Sequence, residues 1–235
     1  MAESGQLGLP LLAAAQAQKH VTVNEALVRL DGLVPMVLVS RAASAPPVTP
    51  EEGAVWAVPA GAGGDWAGQD WMLAIRSNGG WIFVAPRVGW RAFILDEGLA
   101  AIHDGTDWVA GALSLGLTGA ATLTRVIEVV HAVSAGTSSS PGFLIPAGAV
   151  VLGITARVTA AITGALSGWR LGNPGADDRY GSGLGIGLGS WARGVLGQPM
   201  AFYAPTQVIL TAEGGSFAGG EVALAVHVIE LGLPR

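Results

Sequence analysis

The chain has 235 residues, no cysteine and only 12% charged residues, with a net charge of −5 at pH 7. The lack of cysteine excludes disulfides and thiolate metal sites, and the negative charge with a single lysine argues against binding to nucleic-acid phosphates. The mean hydropathy is high, at +0.51, but Arg157 and several glycines interrupt the most apolar stretch, 150–168, so we expect no insertion into a membrane.

A chain with 51% hydrophobic residues and so few charges usually covers part of its surface in an oligomer. We therefore expect a symmetric homo-oligomer, and both a trimer and a pentamer are compatible with the sequence. The first residues lack the basic segment that precedes the apolar core of a secretory signal. We expect synthesis in the cytoplasm without a signal peptide.

Residues 1–44 are predicted to form an arm and one short helix. Residues 5–10 look extended, whereas Thr22–Glu25 fits the capping-box pattern and opens a helix that runs to about Asp31, with Gly32 as its C-cap. Apolar side chains recur at helical spacing and predict that this helix is amphipathic: Val23, Ala26, Leu27 and Leu30.

Residues 45–119 are predicted to form a small Trp-rich β module, which begins with the stiff, proline-rich connector 45–50. Six of the eight tryptophans lie between positions 56 and 108, in short apolar runs typical of strands with tight turns, and 77–80 is the best hairpin candidate. The sequence leaves open whether individual tryptophans belong to the core or face a partner, a sugar or a neighbouring subunit.

Residues 120–235 are predicted to form an antiparallel β-sandwich of jelly-roll type. Apolar and smaller or polar residues alternate along 154–162, 207–211 and 222–228, which is the period of half-buried strands. Glycine-rich turns separate these strands, and no comparable helical pattern lies between them. The predicted fold class is therefore mainly β, with an N-terminal arm and short helix, a Trp-rich module and a C-terminal sandwich.

The sequence offers no catalytic or metal-binding pattern. There is no cysteine nucleophile and no G-x-S-x-G elbow, the glycine-rich run 181–189 fits neither phosphate-binding motif, and the four histidines are scattered. We expect no cofactor, no metal ion and no enzymatic activity.

One region has side chains suited to sugar. Residues 173–180 read as a loop bounded by Gly and Pro, with two adjacent carboxylates and a tryptophan just before it. Aromatic rings stack on apolar sugar faces and polar groups bind hydroxyls, which gives the glycan-binding candidates Trp169, Asp177, Asp178, Arg179 and Tyr180. A turn at a subunit boundary explains the same residues. Adjacent Asp side chains point apart, which disfavours catalysis.

Several short segments carry a family resemblance: 7–27, which contains Ala-Gln-Lys-His-Val-Thr, 29–31, 45–47 with Pro50, 52–53, 65–68, 80–86 and 89–90. Together they resemble an uncharacterised domain found in tailed phages, prophages and gene transfer agents of alphaproteobacteria, over about residues 5–110. The resemblance implies a virion protein, made in the bacterial cytoplasm, that forms a head spike or head fibre of a gene transfer agent, with a tail fibre as the alternative. The C-terminal domain is more weakly similar to those of phage adhesins and spikes.

The resemblance also implies roles for the two ends of the chain. The arm and helix would dock to the capsid or to another spike protein, through the candidates Leu7, Leu9, Pro10, Gln16, Gln18, Lys19 and His20. The C-terminal domain would project from the particle and mediate or support attachment to host cell-surface polysaccharide. Two alternatives stay open: a capsule-polysaccharide depolymerase, and an assembly or decoration protein without receptor contact.

Overall fold

The computed structural model describes residues 3–12, 19–34, 36–141 and 144–235. The chain divides into two compact units, Met1–Gly119 and Ala120–Arg235. Strands far outnumber helices among the described residues, which confirms the predicted mainly β fold. No helix within the described residues is long and apolar enough to cross a membrane.

The first unit combines helix α1 (Lys19–Leu33) and a short 3-10 turn (Gly64–Trp66) with strands. These strands are β1 (Val37–Leu38), β2 (Val55–Ala57), β3 (Leu73–Ser77), β4 (Gly80–Val84), β5 (Arg91–Ile94), β6 (Leu99–His103), β7 (Trp108–Ala110) and β8 (Ala112–Leu115). Seven of them form one sheet in the order β4-β3-β2-β1-β5-β6-β7. Strand β1 runs parallel to β2 and β5, and the other neighbours are antiparallel.

Helix α1 packs on this sheet through a glycine. A Cβ atom at Gly32 would lie 2.8 Å from Cδ1 of Ile75, so the helix can approach strand β3 this closely only without a side chain there. Gly32 lies inside the helix, and the helix begins at Lys19 rather than at Thr22. The predicted capping box and C-cap are therefore wrong, because the helix already includes the three residues before Thr22 and continues through Gly32, which packs on Ile75.

Three of the four apolar residues predicted to form one side of α1, Val23, Ala26 and Leu30, are exposed, and Leu27 is half-buried. Val23 and Leu30 are 41% and 52% exposed, whereas Val28 and Leu33 pack against the buried residues of the sheet. The helix therefore presents an apolar side to its surroundings. We call Val23 and Leu30 the outer helix side.

The tryptophans of the first unit divide between core and surface. The rings of Trp56, Trp66 and Trp81 contact one another with centroids 5.3–6.0 Å apart, and Trp56 and Trp66 are buried. Trp71, by contrast, is 54% exposed. Three of the six tryptophans thus form a small cluster of their own, separate from the main core of the unit, where Trp90 and Trp108 pack. The division between two clusters explains why so many rings fit in one module.

The predicted hairpin at 77–80 is confirmed. Ser77 pairs with Gly80 across strands β3 and β4. Between them, Asn78 and Gly79 have φ values of 48° and 76°, the left-handed conformation that two-residue hairpin turns require and that Asn-Gly adopts most readily.

The second unit consists of strands joined by turns. They are β9 (Ala121–Ala132), β10 (Ser138–Ser139), β11 (Leu144–Ile145), β12 (Val150–Ala165), β13 (Gly168–Asn173), β14 (Ala176–Leu184), β15 (Trp191–Ala201), β16 (Thr206–Gln207), β17 (Ile209–Glu213) and β18 (Ser216–Gly232). One antiparallel sheet has the order β10-β17-β13-β14, a second has β15-β12-β18-β9, and β11 pairs with β16.

Side chains from both larger sheets form one core. Strand β18 contributes Val222, Leu224, Val226 and Val228, all buried, as their alternation predicts. Strand β12 contributes Ile154, Ala156, Val158 and Ile162, while Ala160 is exposed where bulges interrupt the pairing. Two antiparallel sheets over a shared core make the predicted sandwich.

Candidate functional site

The predicted glycan loop is a β-hairpin. Residues 168–173 and 176–184 form strands β13 and β14, with only Pro174 and Gly175 at the turn. The prediction of a loop is wrong because the Gly/Pro signal marks a two-residue turn, and the polar residues after it continue as a strand.

The two aromatic residues of that prediction belong to the core. Trp169 is 1% exposed and donates a hydrogen bond from Nε1 to the carbonyl of Gly185 at 3.0 Å. Tyr180 is 3% exposed, and burial raises the pKa of its hydroxyl to about 12. Neither ring is available in this structure to stack on a sugar, because each face is covered by protein.

The charged residues of the hairpin either contact a neighbouring side chain or point away from one another. Asp177 forms an ion pair with Arg170 at 3.1 Å, and Nη1 of Arg179 lies 2.9 Å from the sulfur of Met200. Asp178 is exposed on the strand next to Asp177, and adjacent strand residues point to opposite faces. The five candidates therefore do not form one exposed surface.

The N-terminal arm is folded back on its own unit. The buried carboxylate of Asp31 accepts hydrogen bonds from Ser4 Oγ at 2.7 Å, from the amide of Gln6 at 2.9 Å and from the amide of Leu7 at 2.6 Å. The Gln6 side chain donates to the carbonyl of Gly53 at 2.6 Å. The prediction of an extended arm is wrong, because one buried carboxylate closes it into a loop.

Two of the predicted docking residues, Leu7 and Leu9, are held within this folded arm by their amide hydrogen bonds to Asp31 and Ser4. Leu7 is 43% exposed and Pro10 is exposed, whereas Leu9 is half-buried. Gln16 and Gln18 lie outside the described residues, as do the side chains of Lys19 and His20. The exposed apolar groups of the arm and the outer helix side form a candidate docking surface, with Leu7, Leu12, Val23 and Leu30 as its members.

The second unit has an open concavity on the outer face of its β15-β12-β18-β9 sheet. Its volume is about 580 Å³. The pairing register places Trp191 beside Arg157, then Ala223, then Val130 across the four strands. One row further along the strands, Arg193 lies beside Thr155, then Ala225, then Glu128. Small alanines in the middle of both rows leave the space that forms the concavity.

Trp191 is the largest exposed group of this surface. Its side chain is 62% exposed, and the guanidinium of Arg193 lies 5.7 Å from its ring centroid, within the range of a cation–π contact. The Arg193 guanidinium therefore contacts the indole ring, and most of the ring is still exposed to solvent. Trp191, Arg157, Arg193 and Thr155 together give an aromatic platform edged by hydrogen-bond donors.

The alternation of large and small residues along β15 explains why Trp191 points outward. Ala192 and Gly194 face the core, and a Cβ atom at Gly194 would lie 2.5 Å from Cβ of Tyr180. Tyr180 thus fills the space inside the sandwich, and only small residues of β15 fit beneath it. The large residues of the strand, Trp191 and Val195, are left on the outer face, where Val195 is 73% exposed.

The histidine nearest to this surface is engaged by a neighbour. Nε2 of His227 and the hydroxyl of Thr155 share a hydrogen bond at 3.2 Å. In the part of the chain that the structure describes, no three His, Asp or Glu side chains come together as a possible metal site. The chemistry of this surface is therefore that of stacking, hydrogen bonding and charge.

The first unit has a smaller cavity of about 310 Å³ beside Trp71 and Trp108. Its arginine, Arg41, is already paired with both carboxylate oxygens of Glu97 and donates to the carbonyl of Trp108 at 2.7 Å. Burial lowers the pKa of the neighbouring His103. Because its charged groups satisfy one another, this cavity offers less to a ligand than the face with Trp191.

The N-terminal part of the chain matches a family model. Residues 23–109 match the family described as "Protein of unknown function (DUF2793)". This family is associated with phages, so the predicted phage-associated domain is confirmed over these residues. Membership of a head-spike family stays a prediction.

Among solved structures, the chain is similar to "Cyanophage Pam1 capsid asymmetric unit" at 21% identity, with 47% of this chain and 84% of that chain covered and a TM-score of 0.31. A TM-score of this size does not establish a shared fold. No curated protein matches the chain.

Proposed function

We propose that this chain is a non-enzymatic structural protein of a phage-like particle, and that the outer sheet face of its second unit binds host cell-surface polysaccharide. The particle would be a gene transfer agent or phage in which the chain forms a head spike or fibre subunit. The observation that carries the proposal is the exposed Trp191 ring, bordered by Arg157, Arg193 and Thr155 in an open concavity.

The match over residues 23–109 supports the assignment to a particle, because the matched family is phage-associated. The exposed apolar groups of the arm and the outer helix side support docking by the first unit. Apolar side chains of this size are stabilised when a partner covers them. The occupant that we propose is the capsid or another spike protein.

Polysaccharide fits the second unit for three reasons. An exposed indole provides a flat apolar surface that matches the apolar face of a sugar ring. Guanidinium and hydroxyl groups beside it bind sugar hydroxyls. The concavity is open along the sheet, so a polymer can pass through it without insertion of a chain end. A deep, closed pocket would instead favour a small ligand.

Retention on immobilised host-surface polysaccharide tests this proposal. We expect the unmodified protein to be retained, and Trp191→Ala to lose about five- to 150-fold in affinity, since a ring stacked on an aromatic side chain contributes roughly 1–3 kcal/mol when the ring is a nucleobase. Trp71→Ala is the matched control, because it removes an equally exposed tryptophan from the first unit and should bind as the unmodified protein does.

Three results would contradict the proposal. Equal retention of the Trp191 and Trp71 variants would show that the polysaccharide does not bind to this face. Absence of retention by the unmodified protein would favour an assembly or decoration protein. New reducing ends after incubation with the polysaccharide would identify a depolymerase.

A further inference from the structure

Arg157 and Arg193 differ from the other arginines within the body of the second unit. Arg125 is paired with Glu230 at 2.6 Å, Arg170 is paired with Asp177 and Glu213, and Arg179 lies against Met200. Among the described residues, neither Arg157 nor Arg193 has a carboxylate partner. Both are exposed and both line the concavity.

These two arginines flank the same aromatic ring. Arg157 lies directly across from Trp191 in the strand register, and Arg193 follows Trp191 by two residues on the same strand face. Residues two apart on a strand are about 7 Å apart, and neighbouring strands are about 5 Å apart. A single sugar residue stacked on Trp191 therefore lies within reach of both guanidinium groups.

The carboxylates of this face lie away from Trp191. Glu128 lies on β9, three strands from Arg193 in the same row, which corresponds to about 14 Å between backbones. Glu221 lies on β18 and accepts a hydrogen bond from Thr159 at 2.7 Å. Glu221 is on the strand next to Arg157 but one row beyond it, so the row that contains Arg193 is positive on β15 and negative on β9.

We infer that this face selects polysaccharides that carry carboxylate groups, with a uronic acid stacked on Trp191 and its carboxylate bound by Arg157 and Arg193. This inference rests on the proposed function and specifies its ligand. A guanidinium group presents two parallel N–H donors that match the two oxygens of a carboxylate. Because the two arginines have no internal carboxylate partner, a ligand carboxylate does not have to displace one.

A polymer and its neutral derivative provide a direct test. The full chain is titrated with polygalacturonate and with the same polymer after reduction of its carboxyl groups, and binding is followed by Trp fluorescence. We expect the reduced polymer to bind at least about tenfold more weakly, since charge-assisted hydrogen bonds are roughly twice as strong as neutral ones. Binding of polygalacturonate should weaken as salt is raised, because exposed charges are screened.

Three variants identify the groups involved. The double variant Arg157→Gln with Arg193→Gln should reduce affinity for polygalacturonate at least about tenfold, and affinity for the reduced polymer by a clearly smaller factor, because the Gln amides still donate to hydroxyls but carry no charge. Glu128→Gln should tighten binding of polygalacturonate by up to about threefold, because it removes a like charge from the same face. Arg91→Gln, which removes an exposed arginine from the first unit, should change neither affinity.

The outcomes separate this inference from the proposed function. Equal affinity for both polymers, lost in Trp191→Ala, would overturn the inference and leave the proposed function standing. Binding of neither polymer and of no host polysaccharide would overturn both. Duplex DNA bound as tightly as polygalacturonate would identify a general anion site and overturn the selection for carboxylates. A smaller oligomer in the Trp191→Ala variant would assign the face to a subunit contact.

Discussion

The buried carboxylate of Asp31 gives the sharpest stability prediction. Oδ1 accepts from Ser4 Oγ and from the amide of Leu7, and Oδ2 accepts from the amide of Gln6. In Asp31→Asn, the amide oxygen can keep one pair of bonds. The new NH₂ group then faces the amide of Gln6, which is itself a donor, so this hydrogen bond is lost.

The size of the effect follows from these bonds. A hydrogen bond to a charged group contributes about 1.5–3 kcal/mol, and a facing pair of donors adds a desolvation cost. The arm can detach and regain water, so the loss cannot exceed the free energy by which arm docking stabilises the first unit. We expect Asp31→Asn to lower the free energy of unfolding by about 2–4 kcal/mol.

Amide hydrogen exchange measures whether the arm detaches, and urea unfolding of the full chain measures the loss of stability. The amides of Gln6 and Leu7 should lose their protection in Asp31→Asn while strands β3 and β4 keep theirs. Asp65→Asn is the control, since Asp65 is an exposed carboxylate of the same unit. Unchanged protection of Gln6 and Leu7, with stability within about 0.5 kcal/mol of the unmodified protein, would refute the role assigned to Asp31.

Three further predictions concern stability and assembly. Gly194→Ala should lower the free energy of unfolding by more than about 2 kcal/mol, because its Cβ would meet Tyr180. Gly197→Ala on the same strand, where a Cβ meets nothing within 4 Å, should change it little, and equal urea midpoints for the two variants would contradict this packing. Burial lowers the pKa of His131, so the unfolded chain takes up its proton at higher pH than the folded one. Stability should therefore fall as the pH drops below about 6.5, and His131→Gln should reduce that slope. His103 shifts in the same direction, so part of the slope should remain, and an unaltered slope in the variant would exclude a contribution from His131. Native mass spectrometry should give a multiple of the 23.7 kDa chain, as expected for the predicted trimer or pentamer, and a monomer at micromolar concentration would contradict it.

Strand periodicity predicted much of the second unit. Val222 to Val228 alternate between core and surface because one face of β18 is covered by the other sheet and the opposite face is not. The Asn78-Gly79 turn could be predicted equally well, since its conformation depends on the two residues themselves. Features set by local chemistry or by one buried face are the ones that the sequence predicts.

The candidate site could not be predicted in the same way. Trp169 and Trp191 each lie at or next to the first residue of a strand, with an arginine close behind, and periodicity does not say which face of a strand will be covered. One signal was present: Ala192 and Gly194 alternate with Trp191 and Val195, a pattern that places the small residues inside. It gains this meaning only when Tyr180 is known to pack beneath β15.

The closed arm also left a signal in the sequence. Asp31 lies in the last turn of α1, where a negative charge is unfavourable with the helix dipole. A carboxylate at that position needs donors, and the arm supplies three of them. The sequence does not show which segment supplies these donors, because Ser4 and Asp31 are 27 residues apart and meet only in the tertiary structure.

The most direct test of the central claim uses intact particles. Particles assembled with the unmodified chain and with Trp191→Ala are passed over immobilised host cell-surface polysaccharide, after equal incorporation of the chain has been verified. We predict that the unmodified particles are retained and that the variant particles pass through, because the stacking surface of the second unit is lost. Equal retention of both particles would contradict polysaccharide binding by this face.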